Sequence, residues 1–181
     1  MAVKTFTTGE VLTAADTNTY LANGGLVYIK SQTIGTAVAS VAVTSAFSAD
    51  YDNYRVTIVG GNSSVNSNLN MNLSGSTGTT YLTTGYFMTP GVATLNAFAP
   101  AASTIWVAGP QNTTRYAIVL DLFRPFATEQ TFGRTSGMGT TSFYDFALAD
   151  TASLSSTGFT IYAGAGTLTG GTITVYGYRK A

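Results

Sequence analysis

Proton transfer and nucleophilic attack draw on a short menu of side chains, and this sequence lacks most of it. Histidine and cysteine are both absent from the 181 residues. That removes the commonest general base, the thiolate nucleophile, the Ser-His-Asp and Cys-His arrangements, and the usual zinc ligands. Carboxylates remain. A glycosidase needs two of them, about 5–10 Å apart, and Asp121, Glu129, Asp145 and Asp150 are the candidates. Asp121 lies inside an apolar run, where pairing with Arg115 or Arg124 is expected to hold it as a structural ion pair. Asp50-Tyr51-Asp52-Asn53 offers oxygens to a calcium ion but lacks EF-hand spacing and its closing Glu; Asp and Asn ahead of a strand more simply make an Asx-turn. Gly164-Ala165-Gly166 runs into Thr-Leu-Thr-Gly-Gly and a strand, so it is no dinucleotide fingerprint. No catalytic, metal-binding or cofactor-binding residue is assigned, no cofactor is implied, and a non-enzymatic role is expected.

The surface chemistry is as unusual as the missing nucleophiles. Charged residues make up 9% of the chain, against about 25% in ordinary proteins. Eight basic residues balance eight acidic ones. With no basic excess to release counterions, nucleic acid is not an expected partner. With little repulsion between copies, self-association is expected. No charge at all occurs from Val56 to Thr114. Polar positions there carry Asn, Thr, Ser and Tyr, whose amides and hydroxyls suit wet contacts with glycans or neighbouring subunits. No run of about 18 apolar residues predicts membrane insertion. The residues after Lys4 do not form an apolar stretch, so no secretory signal is expected.

The elements that would carry such a surface are strands. From Leu26 onward the apolar residues follow a period of two. Val41 and Val43 alternate with Ser40 and Ala42. Leu69, Met71 and Leu73 alternate with Asn70 and Asn72. Ile173 and Val175 oppose Thr172, Thr174, Tyr176 and Tyr178. Further strands are predicted at Leu26–Ile34, Tyr54–Val59, Thr80–Met88, Thr104–Ala108, Ser142–Leu148 and Phe159–Ala163. Arg115–Phe123, the most apolar run, is expected at the centre of a sheet and ends at Pro125. Pro90-Gly91 and Gly109-Pro110 read as breaks. The Ser/Asn-rich 62–68 and the Gly/Thr-rich 133–141 read as exposed loops. Trp106 is expected in the core, and Tyr176 and Tyr178 on a face that could meet a neighbouring chain. About ten strands with frequent turns predict an all-β protein, an antiparallel, jelly-roll-like β-sandwich over residues 26–181.

Residues 1–25 are different. Thr13 and Asp16 read as a capping box opening a helix of about nine residues that stops at Gly24-Gly25. So short a helix is marginal alone and must dock on something. The expected docking residues are Phe6, Val11, Leu12, Tyr20 and Leu21, against either the chain's own β-domain or a neighbouring subunit.

The segment Thr5-Phe6-Thr7-Thr8-Gly9-Glu10-Val11-Leu12-Thr13-Ala14-Ala15-Asp16-Thr17-Asn18-Thr19-Tyr20-Leu21 resembles one that opens many tail-associated and minor structural proteins of tailed bacteriophages. Ser48-Ala49-Asp50-Tyr51-Asp52-Asn53-Tyr54-Arg55 and Gly171-Thr172-Ile173-Thr174-Val175-Tyr176-Gly177-Tyr178-Arg179 resemble these proteins too. The resemblance implies a virion component made in the host cytoplasm: a short tail fibre or receptor-binding protein, homotrimeric by analogy, attached to other virion proteins through its N-terminal arm. A host-surface glycan or protein would be its outward partner. A capsid decoration or head-fibre protein is the alternative, and a glycan-degrading tail spike a third reading.

Overall fold

The structure, a computed structural model, describes residues 7–11, 13–16 and 25–180. It is all-β and antiparallel throughout. One sheet holds eight strands in the order β1 (Leu26–Thr33), β14 (Thr172–Arg179), β3 (Tyr51–Val59), β9 (Tyr116–Phe123), β10 (Thr131–Gly139), β11 (Phe143–Asp150), β6 (Tyr81–Met88) and β7 (Leu95–Phe98). A second sheet holds four: β2 (Ser40–Val43), β12 (Phe159–Ala163), β5 (Ser67–Leu73) and β8 (Trp106–Gln111). The short pair β13 (Leu168–Thr169) and β4 (Asn62–Ser63) ties two connections together. The chain passes repeatedly from one main sheet to the other, so most hydrogen-bonded neighbours are distant in sequence.

The period-two pattern explains the core. Tyr54, Val56 and Ile58 of β3, Ile118, Leu120 and Leu122 of β9, and Ile173 and Val175 of β14 point inward from the large sheet. Val41, Val43, Leu69, Met71, Leu73, Phe159 and Ile161 point back from the small one, and all of them join a single buried cluster. Trp106 lies fully buried in it, its indole N–H donating to the Ala149 carbonyl at 2.8 Å. β9 sits fourth in the eight-stranded sheet, flanked by β3 and β10, as its apolar run predicts.

Two buried tyrosines pin backbone that a loop would otherwise leave unpaired. The Tyr54 hydroxyl accepts the Ser48 N–H and donates to the Ser48 carbonyl, both at 2.8 Å. The Tyr81 hydroxyl accepts the Leu73 N–H at 2.8 Å and stacks edge-on to Trp106. Each phenol thus bridges the two ends of a segment crossing between sheets.

Four expectations are corrected. Residues 133–141 are not an exposed loop, since most of them belong to β10, between β9 and β11. The inward positions of β10 are Thr131, Gly133, Thr135, Gly137 and Gly139, small enough that the hydrophobic signal of a strand is lost. Residues 62–68 are only in part a loop: they contribute β4 and the start of β5, with the exposed residues 64–66 between them. Gly109-Pro110 does not break the chain: β8 runs through it, and β8 is an edge strand, where proline costs no ladder hydrogen bond. The nine-residue N-terminal helix is not borne out. Among the described residues helical conformation is confined to Ala14–Asp16, less than one turn, too short to repay the cost of nucleation.

Burial raises the Tyr81 phenol to about 12 and pushes Tyr54 up as well. A phenol that holds its proton more tightly when folded contributes stability that is complete below about pH 10 and fades toward pH 12. Tyr81→Phe is expected to cost about 1–3 kcal/mol at pH 8, because it leaves the Leu73 N–H unpaired. The variant should also lose less stability between pH 10 and 12 than the parent chain. Urea unfolding followed by circular dichroism across pH 8–12 tests both.

Candidate functional site

The outward face of the eight-stranded sheet is built by its register. One row runs Tyr28, Tyr176, Arg55, Asp121, Arg134, Ala147 and Thr84 across seven strands. Arg55 and Arg134 thus flank Asp121 on the neighbouring strands. The Arg55 guanidinium grips Asp121 in a two-pronged pair, Nε and one terminal nitrogen each at 2.7 Å. The Tyr178 hydroxyl donates to the same carboxylate at 2.9 Å, and Arg55 lies 5.7 Å from the Tyr178 ring centre. Arg134 makes a second such pair with Asp145, at 3.1 and 2.8 Å. The partner of Asp121 is therefore Arg55, not Arg115 or Arg124. The strand pairing of β3 with β9 brings them together across 66 positions of sequence, which local spacing could not reveal.

Apolar rows lie on both sides of this ladder. Phe123, Phe132, Ala149 and Leu82 form one, and Val59, Ala117, Met138, Phe143, Met88 and Leu95 form the other. Phe132 is 52% exposed and Met138 57%. Tyr28 and Tyr176 meet edge-on at 6.2 Å at one side of the sheet, with Tyr28 exposed. At the other side Tyr86, Phe98, Arg134 and Asp145 line a shallow hollow of about 490 Å³.

Each of the four glycosidase candidates is engaged by a partner within hydrogen-bonding distance. Asp121 and Asp145 are each closed by an arginine. Glu129 pairs with Arg124 at 2.9 Å. Asp150 is buried at the end of β11, where it accepts the Ala152 N–H at 3.0 Å and makes a turn. At the suggested calcium segment, Ser48 closes the turn by bonding to the Asp50 N–H and carboxylate, and Asp52 pairs with Lys180 at 3.0 Å. Among the described residues no cluster of three or more acidic side chains could hold a metal ion.

A second concavity opens between the two sheets, where the small sheet stops short of covering the large one. Asn66, Ser67 and Asn68 line one wall, Phe87, Thr89 and Tyr144 another, with Gln111, Thr141 and Ser142 completing a cleft of about 330 Å³. The Tyr144 hydroxyl crosses it to donate to Asn68 Oδ1 at 2.9 Å. Burial pushes the Tyr144 phenol up, so it keeps its proton and remains a donor. Beneath lies an aromatic hollow of about 200 Å³ lined by Phe87, Phe98, Tyr144 and Phe146. The Phe98 and Phe146 rings stack at 5.0 Å, and Tyr144 sits 5.1 Å from Phe146. Gln111 is fully buried and fully engaged: its amide donates to the Val65 and Ala165 carbonyls and accepts the Gly164 N–H. The cleft was missed from sequence because its walls come from four separate stretches. The charge-free run from Val56 to Thr114 was the one signal pointing to it.

The expected docking residues fall mostly outside the described part: Phe6, Leu12, Tyr20 and Leu21 do so. Val11 is described and is 79% exposed, as are its described neighbours in residues 7–16. Thr7 and Glu10 close a local turn, the Glu10 carboxylate accepting the Thr7 N–H at 3.1 Å. Among the described residues no helix is long and apolar enough to cross a membrane. A comparison with protein-family models, curated proteins and solved structures finds no match to this chain.

The Arg55 pair holds the Asp121 carboxyl below its usual range, chiefly through its hydrogen bonds to the guanidinium. Its contribution to stability is therefore complete above about pH 4 and is lost as pH falls through that lowered value. Both groups are partly open to solvent, so the pair is worth about 1 kcal/mol or less. Asp121→Asn is expected to cost about that much at pH 7, less in high salt, and to flatten the acid limb of stability below pH 4. Thermal unfolding of parent and variant from pH 2 to 7 measures it.

Proposed function

We propose that this chain is a non-enzymatic structural protein of a tailed-bacteriophage virion, a tail-associated short fibre or receptor-binding protein. Residues 1–25 would attach it to other virion proteins, and the jelly-roll-like β-domain would face outward. The observation that carries the reading is the N-terminal arm. Its seventeen residues carry the phage resemblance, and its described part stands exposed, with Val11 turned to solvent instead of to the sandwich. An apolar side chain left open in this way is suited to burial in a partner.

The outer sheet face supports assembly. Its charges are closed on one another and its flanking rows are apolar. Eight strands about 4.8 Å apart and four outward rows about 7 Å apart cover on the order of 800 Å², what one partner gives to a standard interface. A homotrimer follows by analogy with the three-fold symmetry of such fibres. Engagement of Asp121, Asp145 and Glu129 by arginines weighs against the glycan-degrading spike. The compact β-domain, with no shaft among the described residues, favours capsid decoration as the second reading.

Gold-labelled antibody against the β-domain, viewed on intact particles by electron microscopy, is expected to mark the tail. Label over the head would shift the assignment to decoration, and unlabelled particles would overturn a virion role. Removing residues 1–25 should abolish incorporation while leaving the β-domain folded; normal incorporation would sink the anchoring role. Sedimentation equilibrium is expected to give the mass of three chains. Phe132→Lys combined with Met138→Lys should shift that toward one, and a monomeric parent chain would remove the oligomer from the proposal.

A further inference from the structure

The cleft between the sheets carries a more specific reading, which rests on the proposed role in host-surface binding. Its lining is polar without being charged. Asn66, Ser67, Asn68 and Ser142 offer amides and hydroxyls, while Phe87 and Tyr144 supply aromatic surface. This combination selects by elimination. An ionic ligand would leave water and find no opposite charge. A purely apolar ligand would strip water from Asn and Ser groups and return no hydrogen bonds. A neutral sugar satisfies both surfaces, because a pyranose ring carries hydroxyls at its rim and C–H groups on its face.

We infer that this cleft binds one or two pyranose units of a neutral glycan, with Phe87 and Tyr144 against the ring face and Asn66 and Asn68 at its hydroxyls. Size agrees: about 330 Å³, with a further hollow of about 200 Å³ beneath, holds a mono- or disaccharide. The Tyr144–Asn68 hydrogen bond sets the site before any ligand arrives. With its Oδ1 occupied by Tyr144, Asn68 presents its Nδ2 hydrogens as donors. The bond also joins strand β5 of the small sheet to β11 of the large one, so the two walls are held in fixed relation. Pre-organisation of this kind lowers the entropy cost of binding a flexible oligosaccharide.

The full chain, fluorescently labelled, would be applied to an array of neutral oligosaccharides built from hexoses and N-acetylhexosamines, alongside sialylated and uronate-containing ones. Binding to neutral members and not to acidic ones is expected. Amide chemical shifts of the chain would then be followed during titration with the best-bound neutral trisaccharide, with changes expected at Asn66–Asn68 and Ser142–Tyr144. Phe87→Ala should weaken binding about tenfold, the effect of losing one aromatic contact. Tyr144→Phe keeps the ring and the packing but frees Asn68, and a smaller loss is expected. Three results would overturn the inference: no neutral glycan bound, acidic glycans bound preferentially, or shift changes confined to residues outside the cleft. The shift map keeps the test decisive even if Phe87→Ala fails to fold. Particle labelling is independent of it, so a tail-labelled protein that ignores neutral sugars loses this inference alone, whereas unlabelled particles defeat the virion role itself.

Discussion

Strand β8 reaches the large sheet at strand β10, whose inward positions carry only glycine and threonine. Inward from β10 come Thr131, Gly133, Thr135, Gly137 and Gly139, and the facing strand carries Ala108, Gly109 and Pro110. A Cβ on Gly137 would meet Pro110 Cδ at 2.7 Å, and one on Gly139 would meet the Asn112 side chain at 2.5 Å. The Thr135 hydroxyl donates to the Ala108 carbonyl, so the two layers are joined by a direct hydrogen bond inside the core. Ordinary face-to-face sheets stand about 10 Å apart with large side chains between them. This close approach replaces bulk with backbone, and the rest of the sandwich is arranged around it. Trp106, two residues before Ala108, is brought over the Tyr81 ring and within reach of the Ala149 carbonyl. Asn112, just past the strand, takes the Thr141 N–H and hydroxyl and thereby fixes the β10–β11 turn.

The same contact determines where the cleft opens. Four strands cannot cover eight. Because β8 is fixed over β9, β10, β11 and β6, the small sheet leaves part of the β6, β7 and β11 inner surface uncovered. The inner surface left partly uncovered is aromatic here, Phe87, Phe98 and Tyr144 over the buried Phe146. What turns it from a packing defect into a cleft is the neighbouring stretch Asn66–Asn68, whose amides keep the opening hydrated. A row of leucines there would close the gap by collapse; asparagine and serine would have to shed water to do so.

How much of this was legible follows from the signal each element leaves. Strands β2, β5 and β14 alternate large apolar with small or polar residues, and the two faces expected from that alternation are the buried and the open faces of the structure. Strand β10 alternates too, but between glycine or threonine and Phe132, Arg134, Ser136 and Met138. Its inward positions are small because β8 lies so close, and smallness reads locally as a loop. The proline within β8 misled for a related reason: a proline is excluded from the middle of a sheet but not from its edge, and edge position is a property of the whole fold. The partner of Asp121 was hidden in the same way, since Arg55 is adjacent only once β3 and β9 are paired. The N-terminal helix failed in the opposite direction, a local signal without tertiary packing among the described residues to stabilise it.

Scarcity of charge then has a geometric meaning. Four formal charges stand in the middle of the large sheet's outward face, Arg55, Asp121, Arg134 and Asp145, and pair with one another at hydrogen-bonding distance. Solvated separately, four such groups would resist being covered by another surface, because each would have to surrender its water. Paired with two prongs each, they have already exchanged much of that water for one another, and Tyr178 adds a further hydrogen bond to Asp121. A face organised in this way loses less by being covered than an equal number of free lysines and glutamates would. The cleft follows the opposite rule. It has no charges to neutralise, and its amides and hydroxyls retain their hydration until something equally rich in hydroxyls replaces it. The two surfaces are thus chemically distinct, one suited to permanent contact and the other to exchange with water. The cleft traces back to the long charge-free stretch that supplies β5, β6, β7 and β8, and to the glycines of β10 against which β8 packs.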